Sequence, residues 1–227
     1  MFRICKNLIF IIFLITPISS NAHFQHYENL KRIEFNILRN DKYIGKHIFS
    51  FKKENNQTSV YSEINFEIKK FGVVLYKYHV RGTEYYKDGK LIKFNSKTNQ
   101  NGKEKYVNIK LTGDDLIIDG SSFKGNVSAD YLLGTWWNHS IIKAEAQISA
   151  VSGRIIKQKV TFLGKENLNI DGKTYNTLHF NFSSSDQKLD KGKKLNTDVW
   201  YDENTLNWVK ATFKKGGNWE YKLVLME

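Results

Sequence analysis

The chain has one cysteine and one proline in 227 residues, and both fall within its first seventeen positions. With Cys5 alone, no disulfide can staple the fold. Beyond Cys5 there is no thiol for nucleophilic catalysis or for a thiolate metal site. The small residues that precede a lipidated cysteine are also missing. Long apolar runs are confined to Leu8–Ile15, which is too short for a permanent membrane-spanning helix. Acidic residues are the minority, 23 against 35 Lys and Arg, for a formal net charge of +12. There is no nucleophile elbow, no phosphate-cradling Gly-rich loop and no His-Glu-x-x-His. No motif calls for a cofactor or a metal, and the lack of a catalytic signature favours a non-enzymatic role.

What is present begins with an address. Arg3 and Lys6 precede the apolar run, Thr16 and Pro17 end it, and Ser20-Asn21-Ala22 supplies small residues for a signal peptidase. The reading is a cleaved signal peptide over 1–22 and a single β-barrel-like domain over 23–227, working in a bacterial periplasm. A domain of that size can bury a sufficient core without disulfides. Cleavage after Ala22 would expose His23, whose α-amine and imidazole could chelate copper. The other histidines, His26, His47, His79, His139 and His179, form no i, i+2 or i, i+4 pair. Lysines are spread along the chain and not gathered into a stripe, so the basic balance reads as compositional and nucleic acid is not an expected partner. The sequons at Asn56, Asn126, Asn138 and Asn181 carry no weight in a bacterium.

The dominant pattern is period-2 alternation, which marks strands with one buried face. Val60, Ser62, Ile64, Phe66 and Ile68 share a face, as do Val74, Tyr76, Tyr78 and Val80. So do Leu178, Phe180 and Phe182, and again Trp219, Tyr221, Leu223 and Leu225. Asn40-Asp41, Asp88-Gly89, Asn101-Gly102, Asp119-Gly120, Asp171-Gly172 and Gly216-Gly217 punctuate the runs as hairpin turns. Such short connections imply antiparallel neighbours. The polar stretch Ser183–Lys194 is expected to be a loop. From Ala129 to Ile142 the period changes. Leu132, Leu133, Trp136, Trp137 and Ile141 fall at helical spacing, with Ser128 as N-cap and Asp130 in the first turn. The expected fold is therefore all-β: one strongly curved antiparallel meander sheet, a barrel or half-barrel, with a short helix near 129–142 plugging or lidding it.

Three groups are candidates for a ligand site. Trp136, Trp137, Asn138 and His139 combine large aromatic area with polar handles; the competing reading is core filling. His79 and Arg81 share a face with Lys77 and Thr83 and could hold an anionic head group if that face lines a cavity. The alternative for these two is the solvated outer side of the sheet. The third candidate is Trp200 alone, which opens the segment Trp200-Tyr201-Asp202-Glu203-Asn204-Thr205-Leu206-Asn207-Trp208.

That last segment resembles the strand–turn–strand hairpin of exported bacterial proteins of the lipoprotein-carrier (LolA/LolB-like) type, with Trp208 standing where carriers often have proline. A wider pattern resembles uncharacterised exported families of Gram-negative bacteria, domains of unknown function. It comprises Tyr43-Ile44-Gly45, Glu84-Tyr85-Tyr86-Lys87-Asp88-Gly89-Lys90-Leu91, a central Trp-Asn and the terminal Trp-Tyr-Asp. The carrier resemblance implies a half-barrel sheltering lipid acyl chains. Physically, Asp202 need only stabilise a tight turn through its side chain. The leading expectation is a periplasmic binding or carrier-like module for an apolar or amphipathic ligand such as a lipid. The alternatives are an envelope structural or assembly protein acting through its surface, a hydrolase with a site on the concave face, and an outer-membrane barrel. The last is disfavoured by the terminal Leu225-Met226-Glu227.

Overall fold

Alternating strands and Asn/Asp-initiated turns generate nearly the whole architecture. The computed structural model describes Tyr27, residues 29–186 and residues 188–227. The signal segment over 1–22, His23 and His26 lie outside the described residues.

Eight strands run as a meander: β1 (Arg32–Arg39), β2 (Lys42–Glu54), β3 (Gln57–Lys70), β4 (Val73–Lys87), β5 (Lys90–Gln100), β6 (Lys103–Thr112), β7 (Asp115–Gly120) and β8 (Lys124–Ser128). Seven more follow: β9 (Leu132–Leu133), β10 (Ala146–Ile148), β11 (Ile155–Ile170), β12 (Lys173–Ser184), β13 (Asn196–Asp202), β14 (Trp208–Lys214) and β15 (Asn218–Met226). All fifteen form one sheet in the order β8-β7-β6-β5-β4-β3-β2-β1-β15-β14-β13-β12-β11-β10-β9. Every pairing is antiparallel except β9 with β10. The first and last strands are neighbours near the centre, with Ile37 opposite Tyr221. The sheet stays open, its free edges being β8 and β9.

The turns use left-handed residues where the sequence supplies Asn or Asp. Asn40, Asn55, Asp88, Asn101 and Asp171 all have φ near +50°. Asp88, Asn101 and Asp171 are each followed by a glycine at φ between +76° and +85°. This backbone matches the twist of the flanking strands. The concave face is apolar, with Ile33, Phe35, Ile37, Phe49, Val60, Phe94, Val107, Leu116, Phe182 and Val199 all fully buried.

The segment expected to be a helix is not one. Ser128 Oγ accepts from the Asp130 amide at 3.2 Å in a local turn. Leu132 and Leu133 then pair with Gln147 and Ile148, and the Gly134 amide donates to Ile148 O at 2.9 Å. Trp136 adopts φ +57°, which no α-helix accommodates. Only a 3-10 turn forms, His139–Lys143, capped by Asn138 Oδ1 accepting from the Ser140 amide at 3.0 Å. Strand partners for the backbone and a left-handed tryptophan outweigh the apolar spacing, and Gly134 lowers the helical alternative further.

Residues 129–154 nonetheless fill the concave side. Trp137 is fully buried against Tyr27, Phe51 and Tyr86, with ring centroids 5.1, 5.2 and 5.6 Å away. The loop after β10 reaches across to the opposite half of the sheet. Ala150 O accepts from Ser96 Oγ at 2.6 Å, and Ser152 O accepts from the Ser122 amide at 2.8 Å. A Cβ on Gly120 would lie 2.8 Å from Ser152 O, so this crossing needs glycine. The plug therefore ties the two halves of an open sheet together.

Candidate functional site

The strand alternation decides which candidate residues can meet. β3 and β4 pair with Glu63 opposite Arg81 and Asn65 opposite His79, on the outer face. There His79 Nε2 lies 2.7 Å and Arg81 Nε 3.0 Å from Glu63 Oε1. The hydrogen bond from His79, with help from Arg81, holds the Glu63 carboxyl below its usual range. These two residues line no interior cavity; they form a solvated charge cluster.

Trp200 also points outward. Its indole stacks on His179 with centroids 4.1 Å apart, and Lys210 Nζ covers the ring at 5.3 Å. Its Nε1 donates to Glu166, whose Oε1 also lies 2.9 Å from His179 Nδ1. Asp202 does what its turn needs, accepting from the Asn204 and Thr205 amides at 3.1 and 2.8 Å. Trp208 is fully buried, stacked on Phe35 at 3.9 Å and close to Trp136 and Tyr221. Its position gives the inner face its central aromatic residue.

Trp137, Asn138 and His139 sit deep in the plug. Trp137 Nε1 donates to Glu84 Oε1 at 3.0 Å, and Tyr86 Oη donates to Glu84 Oε2 at 2.5 Å. Burial pushes the Glu84 carboxyl up to about 7 against these hydrogen bonds and one from Thr135. The His139 amide donates to Tyr27 Oη at 2.9 Å. His47 and Ser62 face one another at 3.1 Å, the spacing of a serine–histidine pair. Both are buried among aromatic rings, and burial pulls His47 down to about 3. The imidazole is therefore a neutral core group and not a poised base. Among the described residues no cluster of three or more His, Cys, Asp or Glu is placed to hold a metal.

Of the expected residues, Arg81 borders a shallow hollow of about 590 Å³ on the outer face of β4, β5 and β6, and Trp136 borders a hollow at the plug. A cleft of about 720 Å³ opens where β13, β14 and the start of β11 meet the plug. Trp136, Ile156, Leu195, Thr197 and Phe213 form its wall, and Arg154, Lys193, Lys194, Lys214 and Lys215 line it as well. Arg154 Nη1 donates to Lys193 O at 3.0 Å, which draws the β12–β13 connection over the opening. Trp136 Nε1 is buried without a hydrogen-bond partner, and its carbonyl accepts from Tyr201 Oη at 3.0 Å. A larger hollow of about 810 Å³ lies along β2 and β3, but Lys42, Lys46, Glu63, Glu67 and Lys69 make its lining strongly charged. The cleft at Trp136 combines apolar wall and cationic border, a combination that suits an amphipathic anion.

Arg154, Ile156, Leu195 and Phe213 were not signalled by any motif. They come from three distant segments, and only the strand order brings them together.

A family model for a domain of unknown function (DUF6134) matches residues 35–224. The chain belongs to that family. No curated protein matches it. Among solved structures, a β-barrel-like protein of the domain of unknown function DUF1849 from Brucella abortus superposes with a TM-score of 0.61 at 12% identity. The match covers 87% of this chain and 97% of that one. A protein from Bacteroides fragilis described as exported, with a YmcC-like fold, gives a TM-score of 0.37 at 9% identity, over 86% and 94% of the two chains. The first of these shows the shared β-barrel-like fold. The DUF6134 match agrees with the resemblance to uncharacterised families carried by Tyr43-Ile44-Gly45 and the Trp-Tyr-Asp hairpin.

Proposed function

We propose that this DUF6134 protein is a periplasmic binding module for an amphipathic ligand with an anionic head. The observation that carries this reading is the cleft bordered by Trp136, Ile156, Leu195 and Phe213 and by Arg154, Lys193, Lys194, Lys214 and Lys215. An acyl chain or similar apolar body would lie against the aromatic wall. The cations would meet a carboxylate or phosphate, as charge-assisted hydrogen bonds favour. The volume is within the range of small-molecule sites. The signal-like segment over 1–22 supports export, and among the described residues no helix is long and apolar enough to cross a membrane.

The experiment is native mass spectrometry of protein recovered from its own host, followed by solvent extraction. One small amphiphile per chain is expected. Phe213→Asp should abolish its retention by placing a charge on the apolar wall. A spectrum of the unliganded chain alone, together with no uptake of a fluorescent fatty acid, would sink the reading.

A further inference from the structure

The hairpin joining β3 to β4 projects from one end of the sheet. Gly45 opposite Phe66 is the last pairing of β2 with β3, and Tyr78 opposite Gln100 is the last of β4 with β5. Beyond those points, past the Asn101 amide that donates to Lys77 O at 2.8 Å, the two strands continue as a ladder with each other through Lys70 and Val73. At about 3.3 Å per residue, Val73–Tyr76 carries the tip roughly 13 Å past the neighbouring β5–β6 turn.

The tip has an unusual composition. Phe71 is 94% exposed, Val73 62% and Leu75 55%, and Val74 is exposed as well. Three consecutive exposed apolar residues break the alternation that governs the rest of β4. Phe71 also sits at φ +50°, followed by Gly72 at +78°. Elsewhere in this sheet the same turn position is filled by Asn40, Asn55, Asp88, Asn101 or Asp171. A bulky aromatic residue is strained there, and the folded chain gives it little in return. Lys70 Nζ lies 5.5 Å over its ring.

The surroundings are cationic. Antiparallel alternation places the turns at 40–41, 71–72, 101–102 and 216–217 at the same end of the sheet. That end brings Lys42, Lys69, Lys70 and Lys103 near the hairpin. Of the acids there, Asp41, Glu67 and Glu104, Glu67 is already paired with Lys69 at 3.0 Å and Lys77 at 3.2 Å.

We propose that the Phe71 hairpin docks the protein onto an anionic lipid bilayer, its apolar tip entering the headgroup–acyl boundary while the surrounding lysines meet the lipid phosphates. An exposed apolar patch ringed by cations matches an anionic interface in both respects. A nucleic acid would satisfy the lysines but offers nothing to Phe71, Val73 and Leu75. The inference does not depend on a ligand in the cleft, and its test reads a different surface.

The test is co-flotation of the full chain with vesicles of phosphatidylcholine alone and of phosphatidylcholine mixed with phosphatidylglycerol. Binding is expected to the mixed vesicles, weakened by salt, with little to phosphatidylcholine. Phe71→Ser should lower it about tenfold, the scale of losing one buried aromatic side chain, with unchanged thermal stability. Brominated lipid should quench the F71W variant more than the parent chain. Equal binding to both vesicles, no binding to either, or binding untouched by Phe71→Ser overturns the proposal. So does a dimer in sedimentation that Phe71→Ser dissociates while vesicles are ignored.

Discussion

Glu84 and His47 are buried titratable side chains whose environments act in opposite senses. Glu84 accepts from Trp137 and Tyr86 in a fully buried site, and burial raises it to about 7. Between its unfolded value and 7 the folded chain holds a proton that the unfolded chain has released. Stability is therefore lost as pH rises through that window, by about 3 kcal/mol in total. His47 is depressed by burial to about 3, with only Ser62 beside its Nε2. Between 3 and the ordinary histidine value the unfolded chain binds the extra proton, so stability is lost as pH falls. The two slopes oppose each other over roughly pH 4.5–6.5, where stability should be nearly level, and it should fall on either side. Urea midpoints measured from pH 4 to pH 8 check this. Glu84→Gln should remove the alkaline decline while keeping an acceptor for Trp137. An alkaline decline that survives Glu84→Gln would assign it to another group.

At the scale of the element, β2 shows why one small residue matters. A Cβ on Gly45 would fall 2.1 Å from Asn65 O and 2.5 Å from Phe66 Cβ, both fixed by strand pairing. Gly45→Ala should therefore destabilise the chain by about 2 kcal/mol or more, read as a lower urea midpoint with an unchanged slope. This gives the Tyr-Ile-Gly segment a packing role, which the sequence alone did not distinguish from any other strand end. The strand faces were legible because alternation and Asn/Asp-Gly turns are local. Val60, Phe66, Val80 and Phe182 point inward as their spacing implies. The spacing over 129–142 misled toward a helix, because the competing partners of that backbone, Gln147 and Ile148, lie outside the window that sets it. The outward facing of His79 and Arg81 did follow from alternation, since Tyr78 and Val80 were already assigned to the core. The cleft beside Trp136 was hidden for a different reason. Ile156, Leu195 and Phe213 become neighbours only after the strands have been ordered.

At the scale of the whole molecule, the sheet is closed in sequence rather than in space. β1 and β15 pair near its centre, and the Lys31 and Arg32 amides both donate to Glu227 O at 2.6 and 2.9 Å. The two half-sheets share one core. Trp208 from the C-terminal half stacks on Phe35 at 3.9 Å and lies near His47 and Phe49 of the N-terminal half. The plug adds to this, since Ser96 and Ser122 bind the loop that follows β10. Neither half can cover its apolar face alone, although each is a run of local hairpins. Deleting residues 218–227 would expose the pairing edges of β1 and β14 in mid-sheet and remove Tyr221 and Leu223 from the core. The truncated chain is expected to lose its near-ultraviolet circular dichroism and its cooperative urea transition. A synthetic peptide spanning 216–227, added in excess, should restore both by supplying the missing strand between β1 and β14. A truncated chain that still unfolds cooperatively without the peptide would mean that residues 32–128 fold as an independent unit.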